Sequence, residues 1–421
     1  MKKKRIELLG LDYYYEKLEN GMDIYLIPTY HKKKIATLVS KFGYRHDCFF
    51  DYKKWHPIKE GAAHFLEHQM KETEGEGKYD FFAKSGTVSN AGTSPNDTRY
   101  YFSGSNNFEE NLQYLINSTF SPHFTDKTVE KEKGIILEEI ARYESSLSRL
   151  KTKTIIESAL VKSDLRNFGL GTKESVLSIT KEDLYFMHET FYQPSNMFLV
   201  VTGGFDPKET IKLIRKIQSS KRKKSFKTKK IKEPNRVNEK DVAVKSHLIK
   251  SPRMEMIYKI NISKKNISKS LIRKYLSLFI KHKFGRGPDF VNELRKAGII
   301  TGFISTDRIV DENHVIVILS AKTNNPKFIE KIKSHISLFD ADEDYFLRQK
   351  KIILSSYLYM PDSFSKINNM FVGVIKEYDF FNHDVINENK KLNYEEFRKT
   401  IELLKFNNYS IIKYEKGIEN E

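Results

Sequence analysis

The chain has one cysteine among its 421 residues, Cys48. A single thiol excludes an intramolecular disulfide and any metal cage made of cysteines, and it fits a reducing compartment. A bound metal must therefore draw on histidines and carboxylates. Long apolar runs are missing as well: no stretch approaches the ~20 residues that cross a bilayer as a helix. The first residues are basic, but Glu7 and Asp12 interrupt the apolar run that a secretory signal requires. A soluble, cytoplasmic protein without a membrane span is expected. Phosphate-loop glycine spacing is also absent: Gly203-Gly204 closes a strand before Pro207, and Gly285-Arg286-Gly287-Pro288 reads as a loop.

What is present is material for buried cores, 39% hydrophobic and 13% aromatic, which excludes disorder of the whole chain. A single core stops growing near roughly 250–300 residues, so the length predicts two domains. The net charge of +18 taken alone points to nucleic acid or another anionic partner. Eight of those charges lie in 221–232 and four in Lys2–Arg5, which leaves an ordinary balance elsewhere. Charge so dense cannot pack in a core, and with Pro234 following, the run reads as a solvated linker. A basic nucleic-acid-binding protein is the alternative, and it predicts steeply salt-dependent binding and no metal. The sequence carries no RNA-binding or helix-turn-helix signature.

The linker separates residues 1–220 from 241–421, with 221–240 between them, and the two parts echo each other. Lys133-Gly134-Ile135-Ile136-Leu137 resembles Lys350-Lys351-Ile352-Ile353-Leu354 at an offset of 217, and Asp80–Gly86 resembles Asn292–Gly298 at 212. A tandem duplication of one α+β unit is the simplest account. Within the first unit, Met22–Ile27 and Lys34–Ser40 read as strands paired to each other. Further strands are expected at Thr98–Ser103 and Ser195–Thr202. Helices are expected from Gly61 to about Lys71 and over 107–119, 126–148, 181–192 and 207–218.

The segment that carries chemistry is His64-Phe65-Leu66-Glu67-His68. On a helix, His64 and His68 share a face, and Glu67 adjoins them, close enough to reach a water without ligating. This is H-x-x-E-H. Ala62, Ala63, Phe65 and Leu66 make the helix apolar nearly all round, so the polar triplet is partly buried and needs a partner. A metal is an economical one. Zinc in hydrolases takes three protein ligands, and the helix near 130–144 offers the third. Glu132, Ile136, Glu139 and Tyr143 share a stripe, so Glu139 faces the core and serves as ligand, with Glu132 supporting the site from behind. Glu138 is turned about 100° away and is expected in solvent.

His64–His68 followed by Glu132–Glu139 resembles the pitrilysin/insulinase family of inverzincin metallopeptidases. The resemblance extends to Asn90-Ala91-Gly92-Thr93-Ser94 and to Phe191-Tyr192-Gln193-Pro194. Bacterial half-length, two-domain members resemble this chain most. The resemblance implies two homologous domains, each a mostly antiparallel sheet backed by helices. It implies one Zn2+ per chain on His64, His68 and Glu139, Glu67 as general base and Glu132 as supporting acid. It further implies an edge strand at Asn90, Ala91, Gly92 and Thr93 that holds a peptide substrate by β-augmentation. The expected activity is that of a zinc endopeptidase on short or unfolded peptides, including ribosomally made precursors.

The second half departs from the family pattern. Ser356 stands where the duplication would place Glu139, and no H-x-x-E-H occurs there. The family's substrate-binding Arg and Tyr pair is incomplete: Arg295 can be the Arg, but Gly302 or Thr301 stands where Tyr is expected. The chain is therefore expected to be the zinc subunit of a heterodimer with a homologous zinc-less partner, or else a homodimer. A non-catalytic peptidase-like scaffold is a further alternative, against which the intact motif argues.

Overall fold

The computed structural model describes residues 1–70, 78–218, 226–229, 231–264, 266–285, 289–382 and 384–417. Residues 219–225 and 230, which include part of the basic run, thus lie outside the described residues, as do Lys71 and 286–288. The strands in chain order are β1 (Lys2–Ile6), β2 (Leu11–Lys17), β3 (Asp23–Pro28), β4 (Lys34–Ser40), β5 (Cys48–Phe50), β6 (Trp55–Pro57), β7 (Val88–Thr93), β8 (Thr98–Gly104), β9 (Met197–Gly203), β10 (Lys227–Thr228), β11 (Asp241–Ser246), β12 (Arg253–Asn261), β13 (Thr301–Val310), β14 (His314–Lys322) and β15 (Tyr409–Lys416). The first helices are α1 (Ala62–Gln69), α2 (Lys78–Lys84), α3 (Phe108–Phe120), α4 (Asp126–Glu144) and α5 (Leu147–Ala159).

Two compact units result. The first holds 1–141, 167–230 and 354–390, and the second holds 142–166, 231–353 and 391–421. The units thus depart from simple boundaries at 220 and 241, because a segment from each half of the chain belongs to the other unit. The cause is visible in the first sheet, which runs β1-β2-β3-β9-β4-β8-β7. Strand residues alternate between its faces. Ile24, Leu26, Leu38, Tyr100 and Leu199 point into one core with α1, α3 and α4, while Tyr25, Ile27, Val39, Phe198 and Val200 point into another. That second face is covered by the helix Phe364–Tyr378 through Ile367, Phe371 and Ile375. In the second unit α5 does the same, with Ile155 and Ala159 packed beside Ile257, Ile316 and Ile412.

β3 and β4 are not paired to each other as the sequence reading expected. β9 lies between them, parallel to β3 and antiparallel to β4. Met197–Gly203 is buried at every residue, so a position flanked on both edges and covered on both faces suits it best.

The second sheet has the order β11-β15-β12-β14-β13. Its five strands repeat the arrangement β3-β9-β4-β8-β7 of the first unit, with the last strand again parallel to the first. Local detail repeats too. Gly86 and Gly298 both take the left-handed conformation, φ 65° and 66°, two and three residues ahead of β7 and β13. Asp126 and Glu343, which open the two long helices, are separated by the same offset as Ile135 and Ile352.

The basic segment is not solvated throughout. Phe226 packs edge-on against Phe191, Lys227 pairs with Phe50 in a small sheet of β10, β5 and β6, and Glu233 is buried. Glu233 accepts from the amides of Val161, Lys162 and Ser163 at 2.7–2.8 Å and from the buried Lys259 ammonium.

Candidate metal centre

α1 starts where Gly61 adopts φ 83°, and a side chain at Gly61 would meet the Leu170 carbonyl at 2.5 Å and the Gly171 Cα at 2.9 Å. The chain entering the helix thus lies directly against 170–171. Ala62, Ala63, Phe65 and Leu66 are all buried, and full burial of a Phe or Leu contributes about 1.5–3 kcal/mol. The apolar contacts fix the rotation of the helix, which then presents His64, Glu67 and His68 together. Their ligand atoms lie within 4.8 Å of one another, and the imidazole centroids are 4.4 Å apart.

α4 supplies the rest. Val129, Glu132, Ile136 and Ile140 are its buried residues; Glu139 and Tyr143 are partly exposed at the edge of that stripe, and Glu138 is exposed. Glu139 Oε2 lies 3.8 Å from His64 Nε2 and 3.8 Å from His68 Nε2. Ligand atoms on a tetrahedral zinc with bonds of about 2.0–2.1 Å stand about 3.4 Å apart. Two imidazole nitrogens and one carboxylate oxygen at this spacing are a donor set that fits zinc.

The ring orientation of His68 is fixed by a carboxylate. His68 Nδ1 stands 2.6 Å from Glu132 Oε1, and with the carboxylate as acceptor Nδ1 is the donor, which leaves Nε2 as the ring nitrogen turned toward Glu139. Directly behind, Gln69 donates to the Thr128 carbonyl and accepts from its hydroxyl, both at 3.0 Å. Gln69 and Thr128 thereby tie α1 to α4. Sequence reasoning missed this pair, although an uncharged polar residue completing an apolar helix was a signal that something must satisfy it.

Thr93 and Glu67 are brought together as well: Thr93 Oγ1 donates to Glu67 Oε2 at 3.3 Å. Glu67 is buried, and the hydroxyls of Tyr100 and Tyr192, 2.7 Å apart, are buried too. Burial, reinforced by the negative charge of Glu67, pushes the Tyr192 phenol far above its ordinary range. It stays a neutral hydroxyl.

Asn90, Ala91, Gly92 and Thr93 all lie on β7, the edge strand, which pairs only with β8 among the described residues and packs beside α1. Asn90 Oδ1 accepts from the Ala91 amide at 2.8 Å. Arg295 belongs to the second unit, where it is exposed and donates to Asn292 at 3.3 Å. Cys48 takes no part in the centre: burial and the neighbouring Asp47 push its thiol up to about 11, which keeps it protonated.

A helix pair that presents two histidines and a carboxylate at zinc spacing, on a duplicated sheet, is the kind of metal site that the resemblance to the inverzincin metallopeptidases implies. Comparison with known proteins agrees. Residues 56–173 match the family model described as insulinase (peptidase family M16), and 178–351 match the peptidase M16 inactive domain. The chain is 32% identical over 374 residues to the uncharacterised zinc protease YmfH of Bacillus subtilis (strain 168), covering 84% of this chain and 86% of that protein. It is 28% identical over 160 residues to the β subunit of the bovine (Bos taurus) mitochondrial-processing peptidase, of which it covers 33%. An M16-like peptidase from Alicyclobacillus acidocaldarius superposes with a TM-score of 0.86 at 26% identity over 97% of this chain and 99% of that one. The chain belongs to the M16 peptidase family, the pitrilysin/insulinase metallopeptidases. Relatives named as zinc proteases imply zinc as the metal. Among the described residues no helix is long and apolar enough to cross a membrane.

Proposed function

We propose that the chain is a zinc endopeptidase that holds one Zn2+ on His64, His68 and Glu139 and cleaves short or unfolded peptides. The observation that carries this reading is the 3.8 Å spacing of Glu139 from both imidazoles, with Glu67 beside them. Zinc bound there supplies Lewis-acid polarisation of a peptide carbonyl and acidifies water. The remaining steps belong to the chain. β7 takes the substrate backbone as an added strand, so the scissile bond is presented beside α1. Glu67 accepts the water proton on its carboxylate and delivers it to the leaving amine, while Thr93 holds that carboxylate in orientation. Glu132 keeps His68 in the tautomer that leaves Nε2 for the metal.

The second half supports a division of labour. It lacks the motif, carries Ser356 in place of Glu139, and matches a family model described as inactive. Its Arg295 has no tyrosine at 301 or 302, which favours a homologous zinc-less partner that completes substrate binding in a cytoplasmic heterodimer. A ribosomally made precursor peptide is the substrate class suited to such a pair. Two measurements test the reading. Glu67→Gln abolishes cleavage of an unstructured peptide while zinc content stays at one per chain, whereas near-normal turnover by that variant rejects the assignment. Full activity of the isolated chain, with no gain from a paralogue, rejects the heterodimer.

A further inference from the structure

The small sheet of β10, β5 and β6 has two unlike faces. Lys227, Phe50 and Trp55 are opposite one another across its three strands and therefore share a face, and Thr228, Phe49 and His56 share the other. The inner face is anchored in the first unit: Phe49 is buried and stacks on His56, with Phe186 and Phe191 around it. On the outer face a sheet ordinarily carries polar residues. Here Trp55, the chain's one tryptophan, is 51% exposed, and Tyr52 at the hairpin end is 53% exposed. Phe50 lies between them, its ring centroid 5.4 Å from Trp55 and 5.9 Å from Tyr52.

Lysines surround these rings. Lys53 and Lys54 form the hairpin with Tyr52, and Lys227 and Lys229 line the neighbouring strand, all four exposed. The Lys227 ammonium stands 5.4 Å from the Tyr52 ring centroid. Asp51, the acid of the hairpin, is turned inward to its own backbone: it accepts from the amides of Lys53 and Lys54 at 2.9 Å and from His56 at 2.9 Å. Its charge is thus engaged at the turn, and the lysine ammoniums outnumber it on the outer face.

We infer that this ribbon is a docking surface for an anionic lipid bilayer, with Phe50, Tyr52 and Trp55 seated at the headgroup level and Lys53, Lys54, Lys227 and Lys229 paired with lipid phosphates. Amphipathic rings with a polar handle favour that depth, and flanking lysines reach the headgroups from apolar stems. Basic residues near an anionic leaflet add attraction that salt screens. The same residue types also serve single-stranded nucleic acid, but that role needs ring faces open for stacking bases. Phe50 meets Tyr52 and Trp55 at tilted angles of 48° and 36°, and Lys227 stands over Tyr52, so the rings gather into one apolar wedge and do not stand apart as separate stacking platforms.

The lone tryptophan makes the test direct. The full chain is mixed with vesicles of phosphatidylcholine alone or of phosphatidylcholine and phosphatidylglycerol in equal parts. The expected result is a blue shift of Trp55 emission and flotation of the protein with the anionic vesicles only, reversed by high salt. Lys53→Glu with Lys54→Glu, which keeps the tryptophan, lowers the bound fraction at least tenfold at unchanged thermal stability. Trp55→Ser, followed by flotation, does the same. Absence of any shift at low salt, equal binding by the Lys→Glu variant, or binding to a single-stranded oligonucleotide in place of vesicles overturns the inference.

Discussion

Glu132 Oε1 accepts the Nδ1 proton of His68 at 2.6 Å, from one turn of α4 to the last turn of α1. One bond therefore sets both the rotation of an imidazole and the nitrogen it presents. Glu132→Ala removes that constraint without touching a ligand atom. Second-sphere losses of this kind weaken metal binding by about 10–100-fold. Chelator competition is the measurement, with unchanged circular dichroism as the control for folding.

Thr93 acts on the other carboxylate. Thr93→Val keeps the shape of the side chain and removes the donor to Glu67 Oε2. The expected outcome is a fall in kcat of about tenfold, equivalent to about 1.4 kcal/mol, at unchanged zinc content. Thr93→Ser restores it. A Val variant that changes KM alone would place Thr93 in substrate binding and not in the positioning of Glu67.

Gly61 is where the backbone itself positions the site. An alanine there is held at φ 83° against the Leu170 carbonyl. Strain of this sort costs about 1–3 kcal/mol, so Gly61→Ala lowers the unfolding midpoint in urea and weakens zinc binding together. Gly134→Ala, on the exposed part of α4 with open space around it, is the contrasting substitution: it leaves zinc binding intact and, through helix propensity, raises the midpoint by roughly 0.5–1 kcal/mol of stability.

The buried pair Glu233 and Lys259 makes the second unit sensitive to acid. Burial alone would raise the Glu233 pKa, but Lys259 and the amides of Val161 and Lys162 outweigh it and hold the carboxyl below its ordinary range. A carboxyl with a lower pKa folded than unfolded contributes stability that is fully present above the unfolded value, about 4.3, and lost as pH falls through the folded one. The urea midpoint of the wild type therefore drops below about pH 4. Glu233→Gln leaves Lys259 buried without its counter-charge and costs about 3–5 kcal/mol at neutral pH, with a flatter acid dependence.

Much of the site was legible in the sequence because it obeys helical periodicity. His64 and His68 four apart, and Glu139 on the stripe of Glu132 and Ile136, fix which side chains share a face before any packing is known. The repeat was legible from matched segments, and the two sheets follow one strand order. What failed is non-local. Nothing within Met22–Ser40 reveals that Met197–Gly203 inserts between its two strands, since strand neighbours are chosen by burial on both faces. Likewise, Phe364–Tyr378 belongs to the second half of the sequence, yet its apolar face covers the first sheet. The basic run concealed Phe226 and Glu233, whose roles depend on partners far away in sequence.

The proposed centre holds one metal on three residues. Crystals of the zinc-loaded chain, measured on both sides of the zinc absorption edge, test it most directly. The predicted result is a single anomalous peak about 2 Å from His64 Nε2, His68 Nε2 and a Glu139 carboxylate oxygen, with Glu67 beside it and unligated. A peak coordinated by Glu67 in place of Glu139, or no peak between α1 and α4, would contradict it.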